Sequence, residues 1–425
     1  MIRALCLLAA VALALPAAAG VRPRYGGALA AAVVRGAIDP DPAQADSVAE
    51  LFLAALLHQP LLRRAPDGAL VPVLLAELPR SADGGSTFHL RLREGLRFHD
   101  GSPIRAADVA ASLRRLAGGP WAALALPVRT IEVLGDRELR VALAFPCPRW
   151  PEALAEPAAA VVQQGASLRG AGPFQLRARG ATHIELRPFA GHAGGRPFLD
   201  ALTIRLVADR GAAARLAAAG EVAFGPGGTA QAPLATWLVA APGVALPPVD
   251  PGDLARFLPA SARRMEGLLP PPHRTVPPAP GEPGAPGGAP LELLFDPAVE
   301  GHQQVAERIQ LRLHDRGVAV RLVSLAAEEL RRRARGGDYR LALLQLPLPA
   351  EASFAAAALL YESGRGEAAR ALLARAGDEA EAILAEARGI APLYAIHEAI
   401  GAVGRAPIHG GPDLADTWLL PEAPR

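Results

Sequence analysis

Few residues in this chain stand in patterns that could carry covalent chemistry. His397-Glu398 opens the H-E-x-x-H pattern of a zinc hydrolase, but Gly401 stands where the second histidine belongs. A helix needs both imidazoles four residues apart to share one metal. No G-x-S-x-G nucleophile turn and no P-loop occurs, and the chain contains neither lysine nor asparagine. Schiff-base chemistry and the phosphate-binding ammonium of a P-loop are therefore excluded. His89 and His99 are metal ligands by type, yet without ligand spacing they read as exposed strand and turn histidines. Arg331-Arg332-Arg333 could neutralise a phosphate, but a mid-helix run reads as a solvated charged face. Of the two cysteines, Cys6 falls in an N-terminal apolar run, so Cys147 has no partner for a disulfide and no companions for a metal. Neither an enzyme nor a cofactor or metal is expected.

Binding is the remaining chemistry, and composition narrows it. The chain has 425 residues, a net charge of +2 and 51% hydrophobic residues. At roughly 150 residues per domain this is about three domains or one large two-lobed body. Balanced charge excludes a basic nucleic-acid surface. Only 4% of residues are aromatic, so the cores must be built from Ala, Leu and Val. Met1–Ala19 has Arg3, an apolar run over Ala4–Leu15, a Pro16 break and Ala17-Ala18-Ala19. This reads as a secretory signal peptide cut near Ala19. With Cys6 too early for a lipid anchor, a soluble periplasmic protein is expected.

The elements that would position a site follow from turn residues and periodicity. Pro66-Asp67-Gly68, Asp83-Gly84-Gly85 and Asp100-Gly101 predict hairpin turns. From Ser86 to Phe98, Phe88, Leu90 and Leu92 alternate with His89, Arg91 and Arg93, which predicts a half-buried antiparallel strand. Residues 270–290 are mostly Pro and Gly and predict a mobile linker or loop. Beyond it, Leu291–Phe295 predicts a strand, and Val305, Ile309 and Leu313 one helical face. Val318, Val320 and Leu322 predict a strand, Ala326–Arg335 a helix, and Tyr339–Leu346 a strand. Such a βαβαβ run implies a parallel sheet with its ligand beyond the carboxyl ends of the strands. Those ends are Asp296–His302, Ser324–Ala327 and Pro347–Phe354.

One stretch also resembles a known family. Ala76-Glu77-Leu78-Pro79, Asp83-Gly84, Thr87-Phe88-His89-Leu90-Arg91 and Gly95-Leu96-Arg97-Phe98-His99-Asp100-Gly101 are similar to the signature of family 5 extracellular solute-binding proteins. Ile38-Asp39-Pro40, Gln59-Pro60-Leu61-Leu62, Gly170-Ala171-Gly172-Pro173-Phe174, Gly195-Arg196-Pro197-Phe198-Leu199-Asp200 and Ala391-Pro392-Leu393-Tyr394 resemble further family segments in the right order. The resemblance implies an α/β, two-lobed periplasmic-binding-protein type II fold with an extra β-rich subdomain. It places the signal peptide at 1–19, lobe I at 20–46, 166–240 and 396–425, the subdomain at 47–165, and lobe II at 241–395 with the linker at 270–290. The implied function is the substrate-binding component of an ABC importer, a monomer that presents a short peptide or similar solute to inner-membrane permease subunits. The sequence also departs from the family. Leu78 replaces a Trp, Arg105 replaces a Thr helix cap, and Asp253–Leu269 stands in for a longer segment of lobe II. The loop Leu346–Glu351 lacks the Asp that holds a peptide ammonium, leaving Glu351 as its substitute. Gln44 and Asp46 in the first loop, Gln345, Glu351, Phe354 as an apolar wall and Tyr394 are the implied contacts. A degenerate paralogue acting as a sensory or protein-interaction module is the alternative.

Overall fold

A computed structural model describes residues 25–34, 41–163, 169–228, 232–247, 249–273, 276–278, 290–375, 378–403, 408–409 and 418–419. The expected signal peptide, and residues 274–275 and 279–289 of the expected linker, lie outside the described residues.

The described chain opens with strand Ala28–Val34 (β1) and helix Val48–Leu57 (α1). Ser47 caps α1 by accepting from the Glu50 N–H, and Glu50 accepts in return from the Asp46 N–H and the Ser47 hydroxyl. Polar residues at both ends of that first turn satisfy donors that an apolar sequence would leave orphaned. The chain then builds a separate three-stranded antiparallel sheet from Thr87–Arg91 (β2), Val128–Val133 (β3) and Glu138–Leu143 (β4), in the order β2-β4-β3. Helix Ala106–Arg115 (α2) packs on it. Arginine has no acceptor to cap α2, so Asp108 does the reciprocal part, accepting from the Arg105 N–H at 2.8 Å.

Four strands return to β1. They are Phe174–Arg179 (β5), His183–Pro188 (β6), Ala201–Val207 (β7) and, after helix Arg210–Ala218 (α3), Phe224–Gly228 (β8). The second sheet follows: Leu234–Ala240 (β9), Ala262–Arg264 (β10), Leu291–Phe295 (β11), helix His302–His314 (α4), Val320–Ser324 (β12), helix Ala327–Gly336 (α5) and Leu341–Pro347 (β13). Helices Ala352–Glu362 (α6), Gly366–Leu373 (α7) and Asp378–Ala385 (α8) lead to Ile390–Ile396 (β14). A final strand, Glu398–Ala402 (β15), rejoins the first sheet.

The first sheet runs β15-β8-β1-β7-β6-β5 and the second β10-β14-β9-β13-β11-β12. β8, β1 and β7 are parallel, as are β12, β11 and β13, so each sheet has a carboxyl edge. Among the described residues, the chain passes between the two sheets twice, from β8 to β9 and, through His397 alone, from β14 to β15. The fold is two-lobed α/β, with the three-stranded sheet as a third body.

The sidedness readings hold, although the strand expected from Ser86 to Phe98 is confined to Thr87–Arg91. Phe88 and Leu90 are buried while His89 and Arg91 are exposed, and Val305, Ile309 and Leu313 are fully buried beneath α4. Two boundaries shift. Leu234–Ala240, expected in lobe I, is a central strand of the second sheet with all seven residues buried. A strand covered on both faces has no alternation to show which sheet owns it. Helix α1, expected with the β-rich subdomain, instead lays Leu53, Leu56 and Leu57 on the first sheet against Ala31, Val33 and Phe174.

Candidate functional site

The carboxyl edges of the two sheets face one another, and charged side chains tie them. Arg210, the first residue of α3, donates to Glu398 at 2.7 Å and to Ser261 at 2.9 Å. It also reaches Glu300, just before α4, at 3.2 Å. Across the same gap Arg331 of α5 meets Asp46 at 3.2 Å, with their side chains 15% and 28% exposed. Arg331 is thus an interlobe partner, whereas Arg332 is exposed and paired to Glu329 within its own helix. The expected uniform solvated arginine face does not exist, because one helical turn points its residues in different directions.

The implied ligand contacts separate into three settings. Gln345 on β13, Thr236 on β9 and Tyr394 on β14 stand side by side across three strands. Thr236 donates to Gln345 at 3.4 Å. The Tyr394 hydroxyl lies near Thr236 without a well-formed hydrogen bond, and burial pushes its pKa up to about 12. This row is a buried polar strip beneath α4. Asp46 lies elsewhere, bound to Arg331, and Gln44 is exposed at the end of the turn Pro42–Gln44.

Glu351 and Phe354 have structural roles that the sequence reading did not give them. Glu351 caps α6, accepting from the N–H groups of Ser353 at 2.6 Å and Phe354 at 3.2 Å. Its other oxygen holds Arg149 of the subdomain at 2.5 Å. Burial pushes this carboxyl up, but the hydrogen bonds from Ser353 and Arg149 more than reverse that and leave it below the ordinary glutamate value. An anion so paired has nothing left for a guest's ammonium. Phe354 is fully buried in a core shared with the subdomain, so it is no cleft wall.

That shared core is the main feature the sequence reading missed. α6 packs against the turn Ala122–Ala125, and one continuous apolar cluster joins Phe88, Val141 and Trp150 to Trp121, Phe354 and Trp237. Polar groups seal its margin. The Trp121 indole donates to the Ala45 carbonyl at 2.8 Å. Glu156, which burial pushes up to about 7, accepts from the Ala350 N–H at 2.7 Å. Arg335 grips Glu362 on α6 and the Gly119 carbonyl in the subdomain. These partners lie between 27 and 216 residues apart, so no local pattern announces them.

His99 also departs from the sequence reading. It is partly buried rather than exposed, its Nε2 lies 3.2 Å from the Gly172 carbonyl, and burial holds its pKa down to about 4. Gly170 and Gly172 approach the end of α1 so closely that a Cβ on either would come within 2.1 to 2.5 Å of the Leu57 backbone. This motif is therefore a packing device rather than a ligand loop. Among the described residues, no three His, Cys, Asp or Glu side chains converge to hold a metal. Cys147 is buried, and desolvation raises its thiol to about 12, where it is unreactive.

Residues 69–237 match the family model of bacterial extracellular solute-binding proteins, family 5 Middle. The glutathione-binding protein GsiB of Escherichia coli K12 is 30% identical over 201 residues, covering 43% of this chain and 39% of GsiB. The Salmonella typhi GsiB is 31% identical over the same shares. The chain therefore spans about two fifths of the length of these curated relatives. Solved structures extend the likeness in fold. The oligopeptide-binding protein AppA of Bacillus subtilis, solved with a nonapeptide, superposes with a TM-score of 0.72 at 14% identity, covering 94% of this chain and all of AppA. The murein tripeptide binding protein MppA of Escherichia coli gives 0.68 at 16% identity, over 92% of this chain and 98% of MppA. NikA of Brucella suis, solved with Fe(III)-EDTA, gives 0.65 at 16% identity, over 91% and 98%. These relatives are solute-binding proteins.

Proposed function

We propose that this chain is the extracytoplasmic substrate-binding component of an ABC transporter, closing its lobes on a short peptide or similar small solute for import. The supporting observation is two carboxyl sheet edges that face each other, joined at two crossings and clasped by Arg210–Glu300 and Asp46–Arg331. Such a body can swing on its crossings, and a guest that contacts both edges favours the closed form by its differential affinity. Because Glu351 is spent on Arg149, a peptide's ammonium would have to take Asp46 from Arg331 or be absent. The expected arrangement is a monomer in the periplasm that delivers its guest to permease subunits, and the protein itself performs no chemistry.

Titration calorimetry and thermal-shift measurements on the purified chain test this reading against glutathione, tripeptides, longer peptides and metal chelates. One saturable ligand supports import, and uniform silence counts against it. A second reading is favoured by the sealed core between α6 and the subdomain. There the two-lobed body would act as a sensory or protein-interaction module without transport. Capture of a specific protein partner from periplasmic extract, with no small ligand, would establish that reading instead.

A further inference from the structure

The second sheet is sealed against the subdomain, but beside the crossings it stands open toward the first sheet. A cavity of about 370 Å³ lies there between α3 and β8 of the first sheet and the approach to β10 in the second. That size is at the small end of ligand pockets.

Its floor is bare by choice of residue. β8 reads Phe-Gly-Pro-Gly-Gly, and Gly225 and Gly227 line the cavity. A Cβ on Gly227 would meet only the Gly225 carbonyl oxygen, at 4.0 Å, and one on Gly225 would touch the Val403 methyls at 3.5 and 3.7 Å. Neither glycine has a positive φ. Crowding and backbone conformation therefore explain neither, although glycine weakens a strand. The facing residues of α3 are small too, namely Ala213, Ala214 and Ala217.

Two polar groups in the wall lack partners. His397 is 7% exposed, and its buried Nδ1 has no hydrogen bond. Arg263 is exposed and has no ion-pair partner among the described residues. Arg210, also in the wall, is already balanced by Glu398 and Glu300. The wall thus holds two guanidiniums and the Glu398 carboxylate, with Glu300 at its margin, and Arg263 is the cation among them without a paired anion.

We infer that this cavity binds a small monocarboxylate. Its carboxylate pairs with Arg263, and its short aliphatic body lies on the α3 alanines and the bare face of β8. Guanidinium and carboxylate match in geometry as well as charge. The inference goes beyond the transport reading, because a peptide seated beside Asp46 would leave this cavity untouched.

Titration calorimetry of the full chain with butyrate, isovalerate and hexanoate, each beside its amide, tests it. At least one acid binds at a single site, and its amide binds roughly tenfold or more weakly. Arg263→Gln weakens the acid by a similar factor. Gly227→Val, which fills the floor, abolishes binding while the circular dichroism and melting temperature stay those of the parent. Ala214→Leu fills the same space from α3 should the strand variant misfold. Arg263→Gln still binds any peptide found for the parent, which separates this site from the proposed cleft. Silence with all three acids, equal binding of acid and amide, or acid binding that survives both fillings would overturn the inference.

Discussion

The second sheet meets its neighbours in two opposite ways. Toward the subdomain it buries α6, Trp121 and Trp150 in one dry core and closes the margin with Arg149–Glu351 and Glu156–Ala350. Toward the first sheet, beside the crossings, it meets Arg210 of α3 across a cavity floored by the glycines of β8. Apolar burial scales with area and does not reverse easily, whereas a few exposed charge pairs are weak. The first junction is therefore built to stay shut and the second to yield, so binding at this fold's lobe boundary is set by which junction a guest can enter.

The largest test of that contrast is Trp121→Ala. Removing a side chain that is 3% exposed, together with its bond to Ala45, should cost about 3–5 kcal/mol, read by denaturant unfolding. A cost below about 1 kcal/mol would mean the subdomain junction is loose after all. Glu156 comes next. Its folded pKa is raised from 4.5 to about 7, so the docked state holds a proton that the undocked carboxyl gives up. Docking is then strongest below about pH 4.5, weakens as pH rises to about 7 and levels off above that. The full loss is about 3 kcal/mol, and Glu156→Gln should flatten that slope in melting curves taken across pH. Arg149→Ala should cost only about 1 kcal/mol, because the arginine is 54% exposed and solvent screens it. The same change frees Glu351, so cationic peptides should bind the variant more tightly than the parent in calorimetry. The smallest effect separates neighbours on one helix. Arg331→Ala should lower stability by about 0.5–1 kcal/mol through Asp46, and Arg332→Ala should leave the melting temperature unchanged.

How much of this was legible depends on how local each cause is. The alternation of Phe88 and Leu90 with His89 and Arg91, and the spacing of Val305, Ile309 and Leu313, showed in sequence because one face of each element meets water. The parallel run β11, β12 and β13 was legible instead from its regular alternation with helices α4 and α5, since β13 itself is buried at six of seven residues. β9 was not, since seven buried residues carry no sidedness. Glu351 was recognised as the acid near the third strand, but its partner lies 202 residues away. Phe354 was read as a wall because α6 is apolar all round, and such a helix does not reveal what covers it. Tyr394 and Gln345 were found as candidates, yet their neighbour Thr236 was passed over, because strand register is invisible to a linear reading.

The return crossing at His397, a single residue pinned by its N–H to the Ser261 carbonyl at 2.9 Å, has a mechanical corollary. With the subdomain fused to the second sheet, any rotation divides the molecule unequally: the first sheet with α1 and α3 is the lighter piece, and everything else turns as ballast. The pivot then sits within one peptide unit of the glycine-floored cavity, so whatever lodges there works as a wedge with almost no lever arm.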